Sequence, residues 1–291
     1  MSEGKTHTKL TQTISNIVIE NIDKKAIKKA AFDANYWGPE ELHNYIRIDI
    51  LSNGKTRCNT AELANLYTYA YGLVHVDAFQ VAAVETSFSQ IYFDDYEQTL
   101  LVDFGCGPGT VALALAEMYE AEEGEPEGLP INYLGIDIEN EMLLLAEDFF
   151  NTPIFDEGLE ITRSNDFLRV RNGVKPKKII FVFNYLFSQV GISAYIEKFI
   201  TRMKTIIHCL SEVEDIYLMY SNIDYCGENN AFQLFLERLI EEGMLSKSDN
   251  TYIPRYEYNF RKFNHLDGED VDYFEGTPRY VYTKIFNLFR P

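Results

Sequence analysis

Between Leu100 and Thr110 an apolar, strand-like run, Leu100-Leu101-Val102-Asp103-Phe104, enters a turn with glycine at every second position, Gly105, Gly107 and Gly109, and a helix-forming segment follows at once. A chain uses this pattern where the backbone must bend sharply and come close to a ligand, because a Cβ would obstruct the approach. Pro108 and Gly109 stand where the next helix begins, and the first N–H groups of that helix have no partner within it. A tight turn without a ligand is the alternative. The strand before the turn and the helix after it favour the ligand.

From Thr99 onward short apolar runs alternate with helical segments. The expected strands are Leu100 to Phe104, Ile131 to Ile138, Leu159 to Thr162, Lys178 to Phe183 and Ile216 to Tyr220. Helices are expected over Thr110 to Tyr119, Glu141 to Phe150, Ser193 to Leu210 and Ala231 to Glu242. Such alternation implies right-handed βαβ units and a mostly parallel sheet covered on both faces. Two β-rich runs end the chain, Tyr252 to Phe263 and Arg279 to Phe289, with no helix between them. They are expected to pair as an antiparallel hairpin joined by the acidic loop Asp267 to Gly276.

Residues 1–95 read differently, with apolar residues at three- and four-residue spacing and few strand-like runs. Pro39 with Glu40 and Glu41 opens one helix, Asn59 or Thr60 caps another, and Val74 to Tyr92 supports a third. The expected organisation is a helical cap, 1–95, serving as a substrate lid, and a ligand-binding α/β domain, 96–291. Trp37 and Tyr71 are the aromatic residues of the cap expected to face a substrate.

The segment Asp103-Phe104-Gly105-Cys106-Gly107-Pro108-Gly109 resembles the first motif of the class I S-adenosylmethionine-dependent methyltransferases. The resemblance covers about 98–291. It implies a Rossmann-like sheet of seven strands, mostly parallel, whose last two form an antiparallel hairpin. It also implies that Gly105, Gly107 and Gly109 lie against the cofactor while Asp103 helps hold its amino group. Asp137, ending Tyr133-Leu134-Gly135-Ile136-Asp137-Ile138, corresponds to the acid that accepts hydrogen bonds from the ribose hydroxyls, with Glu139 as a possible substitute. Asp166, in Ser164-Asn165-Asp166-Phe167, corresponds to the acid on the adenine amino group, with Phe167 packing on the ring; the alternative is that Asp166 caps a short helix.

Asn184 and Tyr185 fall at the end of the fourth expected strand, where the transferable methyl group would face an acceptor. The run Phe181 to Ser188 departs from the Asn-Pro-Pro-Tyr motif of enzymes that methylate bases or glutamine, which weakens those acceptors. Tyr185 could equally be a packing residue. His43, in the cap, is the remaining catalytic candidate. The five histidines show no spacing suited to a metal or a nucleophile–base pair, so no metal is expected.

Composition narrows the acceptor. The formal net charge is −19, and the only basic cluster is Lys24, Lys25, Lys28 and Lys29. A negative field repels polyanions, so a small molecule is favoured over a protein or peptide, and nucleic acid comes last. The expected function is methyl transfer from S-adenosylmethionine to an O or N nucleophile. A nicotinamide-dependent oxidoreductase shares the glycine turn and the ribose acid, but its usual fingerprint has the wider Gly-x-Gly-x-x-Gly spacing. A non-catalytic S-adenosylmethionine-binding sensor or assembly protein is the third reading. The oligomeric state has no signature in the sequence. Four widely separated cysteines and the lack of any long apolar stretch point to reduced thiols in a cytoplasmic protein with no membrane association.

Overall fold

The computed structural model describes residues 8–123, 128–155, 175–189, 191–223, 229–248, 252–263, 266, 271–273 and 278–291. Five helices come first: α1 (Lys9–Val18), α2 (Lys24–Asp33), α3 (Pro39–Tyr45), α4 (Ala61–Glu85) and α5 (Phe88–Phe93). Their starts follow local chemistry. The Thr8 hydroxyl accepts the Thr11 N–H, Asp23 caps α2, and Pro39 opens α3 with Glu41 folding back on the Gly38 N–H. Thr60 caps α4 by accepting from Leu63 N–H. The helix expected over Val74 to Tyr92 is instead the second half of α4 followed by α5, because Ser87 takes a left-handed conformation (φ 61°) and breaks the run. A short π-helix, Ile46–Ile50, continues α3.

The rest of the chain alternates as expected: β1 (Thr99–Phe104), α6 (Thr110–Glu123), β2 (Asn132–Ile136), α7 (Asn140–Phe150), β3 (Lys178–Asn184), α8 (Ile196–Cys209), β4 (Asp215–Ile223) and α9 (Asn229–Glu241). Four short or terminal strands follow, β5 (Arg255–Tyr258), β6 (Arg261–Phe263), β7 (Val271–Tyr273) and β8 (Arg279–Leu288). The main sheet has the order β2-β1-β3-β4-β8-β5, parallel through β4 and antiparallel where β8 joins β4 and β5.

Among the described residues this sheet has six strands, not seven. The expected strand Leu159 to Thr162 lies outside them, as do Asp166 and Phe167. The terminal hairpin forms between β5 and β8. Tyr252 to Phe263 is not one strand, however: after Tyr258 the chain leaves the sheet, and β6, at the end of that run, pairs with β7 of the expected acidic loop as a separate ribbon. The Arg261 backbone N–H donates to Asp77 Oδ2 at 2.5 Å, and its side chain is buried against α4 and α6, which pulls this stretch off the sheet edge.

Alternate residues of each strand point to opposite faces. Leu100, Val102 and Phe104 pack with Phe181, Phe183 and the apolar sides of α8 and α9. Leu101, Ile180, Val182 and Met219 pack with α4, α6 and α7 on the other face. The buried residues of α1 and α4 belong to this second core, which runs without a break across residue 95. Helix α4 is buried on most sides because α1 covers one flank and the sheet and α6 cover others. No helix among the described residues is long and apolar enough to cross a membrane.

Candidate functional site

The sheet changes direction at β1, with β2 on one side of it and β3 on the other. In an open α/β sheet the crevice at the carboxyl ends of the strands at this switch point receives the ligand. Here that places the 105–109 turn, which follows β1, beside Asn184 and Tyr185, which end β3. The two segments touch, since a Cβ on Gly105 would lie 2.7 Å from Leu186 Cδ1.

The turn is held from below by the end of β2. Gly105 and Cys106 N–H donate to the Ile136 carbonyl at 2.7 and 3.2 Å. Asp137 then accepts the Gly107 N–H on Oδ2 and the Glu139 N–H on Oδ1, both at 2.8 Å. Burial raises the Asp137 carboxyl above its ordinary value, and the N–H groups of Glu139 and Gly107 oppose that rise. Glu139 takes the Arg57 guanidinium at 2.6 Å, which ties the segment before α4 to the loop after β2. Gly107 has φ 54°, and nothing lies within 4 Å of where its Cβ would sit. The turn therefore opens a cradle at Gly107, whereas a Cβ at Gly105 or Gly109 would meet the Leu186 or Phe150 side chain.

Asp103 is fully buried. Its Oδ2 accepts the Tyr133 hydroxyl at 2.7 Å, whereas Oδ1 is buried with no hydrogen-bond partner among the described residues. Burial pushes the carboxyl up to about 7, against the lowering effect of the Tyr133 hydroxyl. Gly135 stands opposite Asp103 in the β1–β2 register, and a Cβ there would lie 2.9 Å from both Cys106 Sγ and the Tyr133 ring. Glycine at 135 lets the tyrosine reach the carboxylate.

On the β3 side, Asn184 is buried and its Oδ1 accepts the Ser221 hydroxyl. Tyr185 is buried in a left-handed conformation (φ 60°), unusual for a bulky residue. Its ring stacks on His75 at 4.0 Å between centroids, and its hydroxyl lies 3.5 Å from that of Tyr258. Burial pushes the His75 imidazole down to about 3, with Arg279 adding to the effect. Tyr71 is half-buried, on the same side of α4 as His75. His43 packs near Tyr69 and is pushed down to about 4, by burial first and then by Lys262, Arg47 and Arg279.

Trp37 is not brought into this group. It is 71% exposed and makes no ring contact among the described residues; its backbone N–H donates to Glu41. Conversely, Tyr258, Arg47 and Arg279 join the site without any motif to announce them. Only the spacing of Tyr67, Tyr71 and His75, four residues apart on a helix, carries a signal in the sequence.

No family model matches the sequence, and no curated protein matches it. Among solved structures the chain is similar to a tRNA methyltransferase from Aquifex aeolicus, at 14% identity over 74% of this chain and 69% of that one, TM-score 0.38. It is also similar to an S-adenosylmethionine-dependent methyltransferase from Clostridium acetobutylicum, at 13% identity over 76% and 96% of the two chains, TM-score 0.32. A human methyltransferase 10 domain containing protein is similar at 8% identity over 71% and 81%, TM-score 0.37. These three chains are described as methyltransferases. No residue's role is carried over from them.

Proposed function

We propose that the chain is an S-adenosylmethionine-dependent methyltransferase. The observation that supports this best is the open cradle at Gly107 beside the Asp137 carboxylate, together with the buried Asp103 Oδ1, which has no hydrogen-bond partner among the described residues. An unpaired buried carboxylate oxygen is costly, and a ligand ammonium in reach of Asp103 Oδ1 would remove that cost. Asp137 accepts one N–H on each oxygen, which leaves lone pairs on both for ribose hydroxyls. The residues present therefore fit the cofactor, with Asp103, Gly105, Gly107, Gly109 and Asp137 as its site and Asp166 and Phe167 as the proposed adenine contacts.

When bound, S-adenosylmethionine supplies an electrophilic methyl carbon on a sulfonium. The protein's task would then be to hold and orient the acceptor's oxygen or nitrogen. Where the acceptor carries a proton, a side chain of the site or water would have to take it up. Asn184 and Tyr185 end β3 at the place where the acceptor enters. Burial holds His75 and His43 neutral at physiological pH and makes both weak bases, which suits them to lining the site better than to taking up a proton. Residues 1–95 supply the acceptor side, with the α4 aromatics lining it, and the favoured acceptor is a small molecule.

Thermal unfolding with added ligand tests the reading, because a ligand that binds only the folded chain raises Tm. S-adenosylmethionine and S-adenosylhomocysteine should each raise Tm, and NAD and NADP should not. A rise with a nicotinamide nucleotide alone would assign the site to an oxidoreductase.

A further inference from the structure

Tyr67, Tyr71 and His75 stand in file along α4, with centroids 5.0 Å apart for the first pair and 6.0 Å for the second. The file ends on Tyr185, stacked against His75, and Tyr185 leads through the Tyr258 hydroxyl to the β5–β8 pair, where Tyr258 faces Arg279 in register. The Arg279 guanidinium lies over the Phe260 ring at 4.4 Å. Arg47 approaches from the π-helix, and both arginines are half-buried. Their charges reach the group from two sides: both act on His43 and Tyr71, and Arg279 acts also on His75 and Tyr185.

Three features of this group call for a ligand. Among the described residues no carboxylate pairs with Arg47 or Arg279; Arg47 has only the Asn44 Oδ1 at 3.5 Å, and Arg279 has the aromatic groups beside it. In a chain of net charge −19, two half-buried guanidiniums with no carboxylate partner among the described residues stand apart. The Tyr71 hydroxyl and His43 Nδ1 are buried and lack hydrogen-bond partners among the described residues, so donors and acceptors are left over beside the cations. The backbone is also strained here: Ser52 and Asn53, between the π-helix and Gly54, have φ of 48° and 55°, and a Cβ at Gly54 would touch Tyr67 and Tyr71.

We infer that this group is the acceptor subsite, and that it takes a flat small molecule carrying an anionic group, a carboxylate or a phosphate. The ring lies against the α4 aromatics and Tyr185, and the anion is held by Arg47 and Arg279 with the Tyr71 hydroxyl as a further donor. The inference rests on the methyltransferase reading for the word acceptor, but not for the binding itself. Guanidinium binds carboxylate and phosphate alike through parallel N–H donors, and aromatic faces select planar partners. The chain's net negative charge does not conflict with this, because fields of distant charges fall off over about 10 Å in salt and the two arginines lie at the group itself.

The test is calorimetric titration of the full chain with 4-hydroxybenzoate, phenyl phosphate and the neutral 4-hydroxybenzamide, each with and without saturating S-adenosylhomocysteine. At least one anion should bind, and the amide should bind about tenfold more weakly or worse, as expected when a charge-assisted contact is lost. Preference for the benzoate assigns a carboxylate; preference for phenyl phosphate assigns a phosphate. Arg279→Gln and Arg47→Gln should each weaken the anion about tenfold while leaving S-adenosylhomocysteine affinity unchanged, which also shows that the variants are folded. Arg279→Lys should keep part of the affinity. Should Arg279→Gln fail to fold, Arg47→Gln decides. No binding by either anion, equal binding of the amide, or wild-type anion affinity in the folded glutamine variants overturns the subsite. Anion binding as described with no binding of S-adenosylhomocysteine overturns the cofactor reading and leaves the subsite standing.

Discussion

Asp137 and Gly107 are joined by a hydrogen bond of 2.8 Å that runs from the backbone of the glycine turn to the acid ending β2. The carboxylate holds the turn, and on the proposed reading its remaining lone pairs take the ribose hydroxyls. Asp137→Ala should weaken S-adenosylhomocysteine by roughly 2–3 kcal/mol and also cost about 1–2 kcal/mol of stability, since two backbone N–H groups lose their acceptor. Asp137→Asn should lose less of both. Calorimetry and thermal melting on the same samples separate the two effects. Wild-type affinity in both variants would move the ribose contact to another residue, Glu139 first.

Gly107→Ala tests the cradle. The new Cβ meets no protein atom within 4 Å, so the folded chain bears only the cost of a left-handed alanine, about 1–2 kcal/mol. Cofactor affinity should fall by more than stability does, and Gly107→Val should be worse on both counts. Unchanged affinity in Gly107→Ala would mean that nothing sits over the turn.

Asp103 makes stability pH-dependent. Its folded pKa of about 7 lies above that of an unfolded carboxyl, so the folded chain holds an extra proton between roughly pH 4 and 7. That contribution is complete below this window and is lost as pH rises through it. Asp103→Asn should flatten the fall in stability between those limits and leave the chain more stable than wild type at pH 8. A ligand ammonium at the same carboxylate favours the ionised form, so wild-type affinity for S-adenosylhomocysteine should rise from pH 6 to 8 while that of Asp103→Asn does not. Parallel pH profiles for the two proteins would contradict this.

Arg261 binds Asp77 and Glu117, each at 2.6 Å from Nη2, in a cluster where all three side chains are buried or nearly so. Removing the cation leaves two carboxylates facing each other in the core. Arg261→Met should cost about 3–5 kcal/mol by denaturant titration, whereas Trp37→Ala, at an exposed position, should stay within about 0.5 kcal/mol of wild type.

The alternation after Thr99 was legible because parallel strands buried on both faces write continuous apolar runs, and β1, β2, β3 and β4 all overlap the expected segments, with ends that differ by up to about three residues. The β1 turn and Asp137 were legible because a few adjacent residues carry them. The β6–β7 ribbon was not, since it depends on Arg261 reaching Asp77, 184 positions earlier in the chain. The same holds for the proposed acceptor side: Tyr185, His75, Tyr258 and Arg279 meet only through tertiary packing, and no local spacing joins them. Trp37 shows the converse, an aromatic in the helical part whose place on the surface its sequence neighbours do not reveal.

The most direct measurement of the central claim is isothermal titration of the wild-type chain with S-adenosylhomocysteine, repeated on Gly107→Val. One site of micromolar affinity, on the order of −8 kcal/mol, is expected for the wild type, and it should be lost in the variant. No heat with S-adenosylhomocysteine or S-adenosylmethionine, together with saturation by a nicotinamide nucleotide, would contradict the account.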